Sequence, residues 1–256
     1  MSSQSSQPII GNNVTIGKNV SFGHFVIIYD NVEIGDDCII GDYVIIGETS
    51  NQQSSSSPVT KIGYSCIIRS HSLLYAGCQL GNFVHLGNRA TIREFSIVGN
   101  HCSIGMSAEL QGNCTIGDYS RLQSFVSVGQ QTKIGRFVFV YPYAVFTNDP
   151  LPPSSQLEGV EIGDFTQVSA GVILLAGANI GKFSLISVNS KVGGMFEDDS
   201  FIEGNPGRRI GKLSKMPFFN KDGKRHYPWP YQYATNMPWQ GLDFDDWAIN
   251  ENIPLF

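Results

Sequence analysis

Apolar residues return every six positions along most of the chain. A helix repeats near 3.6 residues and a strand at 2, so neither element alone yields this beat. Counting from Ile10, the next first positions are Ile16, Phe22, Ile28, Ile34, Ile40 and Ile46. The frame stops at residues 48–61, resumes at Ile62 and runs unbroken to Phe146, then stops at 147–161 and continues from Ile162 to Val192. That makes 28 hexads; every first position is apolar and 17 second positions are Gly, which a few scattered strands would not produce. One inward residue per six predicts a short strand and a corner. Three of each would close a triangular coil of 18 residues. Gly, Asn and Asp just after the first position are expected to turn the corners, because they tolerate left-handed backbone angles. The chain is therefore read as all-β, a parallel β-helix of about nine coils over residues 10–213 with two extruded loops. Residues 1–9 read as a flexible tail. Residues 214–256 leave the repeat as an aromatic-rich, irregular extension with a short helix near residues 244–250, expected to cap the last coil or cover a neighbouring subunit.

The cysteines strengthen the frame. Cys38, Cys66, Cys78, Cys102 and Cys114 all occupy the fifth position of their hexads, otherwise mostly Val, Ser, Thr or Ala. That position reads as a small inward slot in which Cys acts as a hydrophobe, not as a disulfide or zinc ligand. A net charge of -5 with only 15% charged residues offers no basic patch for nucleic acid or an acidic membrane surface. The polar start MSSQSSQP has no apolar signal core, and no apolar run reaches membrane-span length, so a cytoplasmic protein is expected.

The repeat [LIV]-G-x4 resembles that of the hexapeptide acyltransferases of the left-handed β-helix superfamily. The resemblance implies left-handed winding, homotrimers with active sites between subunits, and acetyl-CoA or another short acyl-CoA as donor; no metal is expected, since the sequence has no CxxC. Five stretches occur in order: IRSHSLLYAG at 68–77, GNRATIRE at 87–94, VFTNDPLPP at 145–153, VSAGVILLAGANIG at 168–181 and GNPGRRI at 204–210. They are similar to those of the branch that N-acetylates nucleotide-linked amino sugars for O-antigens and other surface glycans. Asn88 stands where family members often carry His, and Gly207 where Ala is usual.

Acyl transfer to an amine needs a deprotonated nucleophile, donors for the thioester oxyanion and two aligned substrates. Glu94, His85 and His101 are the candidate catalytic residues. Asn88, Arg93, Arg69, His71, Tyr75, Asn148 and Asp149 are candidates for binding a dTDP- or UDP-linked deoxyamino sugar. Through the resemblance, Ser169, Ala170, Ala176 and Gly177 offer small surfaces for a pantetheine arm, and Arg208 and Arg209 offer charge for the CoA phosphates. The proline-stiffened loop 148–161 is expected to wall the sugar site. Two other readings differ in class. O-acylation of a sugar hydroxyl calls for a firmly placed His, and a non-catalytic β-helix binding protein would need no Arg-Glu pair. The metal-hydrolase version of the scaffold resembles a site with two His five residues apart, and His24, His71, His85, His101 and His226 contain no such pair.

Overall fold

The computed structural model describes residues 7–50, 58–223 and 226–253. Most of the first extruded loop, residues 51–57, and residues 1–6 of the N-terminal tail lie outside them. The body is a parallel β-helix with three sheets of ten, ten and eleven strands, consistent with the left-handed winding that the resemblance implies. Strand order in each sheet advances by three, so every third strand is a neighbour. The first sheet runs from Ile9–Ile10 to Lys191–Val192, the second from Thr15–Ile16 to Met195–Phe196, and the third from Ser21–Phe22 to Ser200–Gly204. Register follows the 18-residue coil, as in Leu86 beside Ile104 beside Leu122.

Ten turns are present, one beyond the nine that the hexads imply. The last coil is shorter at one corner: Val192 is followed inward by Phe196 and then Ile202, so the six-residue frame misses it. Gly193 and Gly194 make that tight corner, and Gly194 has a φ of +88°. The added strand Gly207–Lys212 pairs antiparallel with Ser200–Gly204 and covers the last edge of the third sheet.

Corner chemistry differs from the expectation in its division of labour. The left-handed residue is the fourth of the hexad, as in Asn19, Tyr43, His101 and Phe137, with φ of 57–58°. The second-position Gly is needed for space. A Cβ on Gly117 would lie 2.6 Å from the carbonyl carbon of Gly135 in the next coil. The third residue, often Asp or Asn, reaches back one coil to accept a backbone N–H. Asp36 accepts from Lys18 N at 2.7 Å, and Asp118 accepts from Asn100 N at 2.6 Å. Backbone donors at the corners thus find partners. First and fifth positions fill the prism, and all five cysteines are buried there as free thiols. Burial pushes the Cys78 and Cys102 thiols up to about 12, so both stay neutral.

The C-terminal extension lies along the side of the prism. Fourth-position rings Phe83, His101, Tyr119, Phe137, Phe165 and Phe183 stack with centroids 4.6–5.2 Å apart along one edge. Trp229, Met237, Trp239, Phe244, Ala248 and Ile253 close over the lower rings and form a second core. Trp229 Nε1 donates to the Phe165 carbonyl at 2.9 Å. The helix Phe244–Asn250 is capped by Asp243, whose side chain accepts from the N–H groups of Asp245 and Asp246.

Candidate active site

Three edges separate the sheets. The first edge, between the first and second sheets, collects Tyr75, Arg93, Glu94, Asn148, Asp149, Ala176 and Gly177. Arg93 forks onto Glu94, with Nε 3.1 Å from Oε2 and Nη2 3.3 Å from Oε1. The Arg93 guanidinium also lies 5.3 Å from the Tyr75 ring centre. Burial alone would raise the Glu94 carboxyl. Hydrogen bonds from Ser50, its own N–H and Arg93 outweigh that and hold it below the usual carboxylate range. Glu94 is therefore an anion of low basicity, better suited to holding a donor than to removing a proton.

The second loop leaves the prism on this edge, directly above Ala176 and Gly177. Asp149 is engaged inside it, accepting from Leu151 N at 2.9 Å, Ser154 N at 2.7 Å and Ser154 Oγ at 2.7 Å. Glu158 N donates to the Asn148 carbonyl at 2.8 Å, and Gly177 N donates to the Glu158 carbonyl at 3.1 Å, which ties the loop to the corner below. Farther along the same edge is a cavity of about 510 Å³, lined by Leu175, Ala176, Lys191, Gly193, Gly194, Asn205, Pro206, Gly207 and Arg208. Among the described residues its lining has two cations and no carboxylate. A Cβ on Gly194 would enter open space, so glycine leaves that floor bare. Lys191 and Gly194 were not among the expected binding residues; the adjacent glycines that break the hexad frame were their signal in the sequence.

The other expected residues lie elsewhere. His85 is on the third sheet, where Arg69 Nε donates to its Nε2 at 3.3 Å. Burial, and then the nearby Arg69 charge, lower the His85 pKa, so the ring is neutral at pH 7. His71, Asn88, Ser169 and Ala170 are on the third edge; the His71 ring stacks on Tyr43 at 4.9 Å. His101 is on the second edge, stacked between Phe83 and Tyr119 at 4.6 Å from each. Arg209 pairs with Glu197 at 3.1 Å, leaving Arg208 as the arginine at the cavity. Within one chain, then, Glu94 and His85 lie on different sides of the prism. Among the described residues, no three His, Cys, Asp or Glu side chains gather as a metal site, and no helix is long and apolar enough to cross a membrane.

The family described as bacterial transferase hexapeptide (six repeats) matches residues 8–50 and 95–130. The match spans less than half of the chain, and both matched segments lie in the six-residue repeat that builds the prism. No curated relative matches it. Similar solved structures include a hexapeptide-repeat acetyltransferase of Vibrio cholerae complexed with acetyl-CoA, 19% identical with a TM-score of 0.38, covering 44% of this chain and 68% of that one. A UDP-N-acetylglucosamine O-acyltransferase of Moraxella catarrhalis is 18% identical with a TM-score of 0.37, covering 85% of this chain and 72% of that one. A UDP-N-acetylglucosamine acyltransferase is 18% identical with a TM-score of 0.44, covering 83% of this chain and 76% of that one. Likenesses with such TM-scores identify no activity for this chain.

Proposed function

We propose that the protein transfers an acetyl or other short acyl group from CoA to the amino group of a dTDP- or UDP-linked deoxyamino sugar, in the making of an O-antigen or other surface glycan. The observation that carries this reading is the first edge. It presents a polar Tyr75-Arg93-Glu94 cluster, an anchored loop, and a glycine-floored cavity with Arg208 and Lys191, in line along one side of the prism. The cavity suits the acyl-CoA substrate. Its small residues admit a narrow chain against the backbone, and its cations suit phosphates. The Glu94 carboxylate orients the acceptor by accepting a hydrogen bond from it, and Arg93 keeps that carboxylate ionised and fixed.

In the reaction the sugar amine attacks the thioester carbon. The C–N bond forms, the C–S bond breaks, and the amine proton ends on the CoA thiol. His85, neutral through its lowered pKa, is the group best suited to carry that proton. It lies on the wrong side of its own chain to meet Glu94, so the site is completed by a second copy within a homotrimer, the third sheet of one copy facing the first edge of the next.

The test is thiol release from acetyl-CoA with a panel of dTDP- and UDP-linked 3-amino and 4-amino sugars and their hydroxyl counterparts. Turnover on an amino sugar alone supports the reading. Turnover on a hydroxyl counterpart alone replaces it with O-acylation, and release with neither, across several acyl-CoAs, leaves a binding protein.

A further inference from the structure

The extension and the third sheet enclose a second cleft, of about 560 Å³, on a different side of the prism from the first edge. Its floor is the strand column of Ser103, Arg121, Phe139 and Gln167, and its wall is Trp229, Gln232 and Tyr233 of the extension. The volume falls in the range of small-molecule sites, roughly 300–1,000 Å³.

Two side chains in it lack what their chemistry demands. Gln167 is 8% exposed, and its Oε1 is buried with no hydrogen-bond partner among the described residues. An orphaned buried acceptor costs about 1–3 kcal/mol, and a hydrophobic side chain in its place would avoid that cost. Arg121 is held by neutral groups: Nη1 donates to Tyr233 Oη at 3.0 Å and Nη2 to the Thr235 carbonyl at 3.1 Å. Its guanidinium lies 5.5 Å from the Phe139 ring centre and 5.7 Å from that of Tyr233. Among the described residues no carboxylate lines the cleft, so this cation has no counter-charge there. The missing partners are a hydrogen-bond donor for Gln167 and an anion for Arg121. The rest of the lining includes Gln123, Gln232, Ser103, Ser124, Tyr141 and His226, groups that both donate and accept, beside aromatic surfaces.

We propose that this cleft is a sugar-phosphate site, with a ring hydroxyl donating to Gln167 Oε1 and the phosphate set against Arg121. A free sugar phosphate and the sugar-diphosphate portion of a nucleotide sugar share that chemistry. The cleft floor continues the strand column of His85, on the sheet that the acyl-transfer reading sets against a second copy, but the proposal does not rest on that reading, since it requires binding and no turnover.

The test is calorimetry of the full chain with glucose 1-phosphate, UDP-glucose, glucose and inorganic phosphate, repeated with Gln167→Leu and Arg121→Gln. Binding of glucose 1-phosphate or UDP-glucose is expected, and whichever is tighter names the source. Glucose and phosphate alone should each bind at least about tenfold more weakly, and Gln167→Leu should weaken the sugar phosphate by a similar factor. Gln167→Leu should also raise the melting temperature, which separates a lost ligand contact from a damaged fold. Arg121→Gln should lose binding while tryptophan fluorescence still reports a docked extension. The proposal is overturned by no binding of either sugar phosphate, by equal binding of inorganic phosphate, or by unchanged binding in Gln167→Leu.

Discussion

The first and second edges of the prism share one backbone bend and carry different residues on it. On the second edge the left-handed positions from Phe83 to Phe183 hold Phe83, His101, Tyr119, Phe137, Phe165 and Phe183, and their rings stack. On the first edge the corresponding coils hold Gly77, Phe95, Asn113, Gln131 and Gly177, and the positions before Phe95 carry Arg93 and Glu94. A left-handed bend costs an ordinary residue about 1–2 kcal/mol. Each stacked ring pair contributes about 0.5–1.5 kcal/mol, so the aromatic ladder roughly offsets its own bends. On the first edge Asn113, like Asn13, Asn31 and Gly177, accepts that bend more readily and needs no ladder. One edge therefore serves to dock the extension, and the other gathers polar and charged side chains.

The comparison breaks most visibly at Phe165, which is 1% exposed, lies between Phe137 and Phe183, and accepts Trp229 Nε1 at its carbonyl. Phe165→Ala should cost about 3–5 kcal/mol. All three tryptophans, Trp229, Trp239 and Trp247, are in the extension, so a red shift in their emission would report its release. Gly117→Ala probes the spacing shared by all edges. Its Cβ would meet the Gly135 carbonyl carbon at 2.6 Å, and denaturant melts should show a loss of about 1–3 kcal/mol. Asp243→Ala removes the cap of the short helix in the extension and should cost about 1 kcal/mol, leaving the coils intact by circular dichroism.

A smaller effect concerns pH. The folded pKa of His85 lies below 6.5, so the neutral ring persists to lower pH than in a free peptide. If His85 carries the proton, kcat/KM should fall as pH drops through that lowered pKa. Any stability tied to the neutral ring is present above 6.5 and is lost as pH falls through the folded value. Burial is the larger cause, so Arg69→Gln should raise the His85 pKa only part of the way back, as read by its NMR titration.

The hexad made the body legible, because one inward residue per six fixes strand, corner and coil together. It also located the buried cysteines and the polar first edge. The extension was not legible. Its aromatic residues have no period, so nothing in residues 214–256 said that they would pack sideways on Phe137, Phe165 and Phe183 in place of covering the last coil. The left-handed fourth position was hidden for a related reason. Phe, Tyr and His occupy it through stacking, against the propensity that favours Asn, Asp and Gly there. The candidate site was legible in part: Arg93 with Glu94, and Ala176 with Arg208, lie together, whereas His85 and His101 fall on two other sides.

The central claim is that one site is shared between the first edge of one copy and the third sheet of the next. It is tested most directly by mixing subunits, once the substrate panel has supplied an acceptor. Glu94→Gln and His85→Asn should each lower kcat/KM at least about a hundredfold when assayed alone. Refolded together in equal amounts, they should regain about a quarter of the wild-type rate, because random assortment pairs an intact Glu94 with an intact His85 at that fraction of the interfaces. Activity that stays at the level of the separate variants, or variants that are fully active alone, would contradict the account.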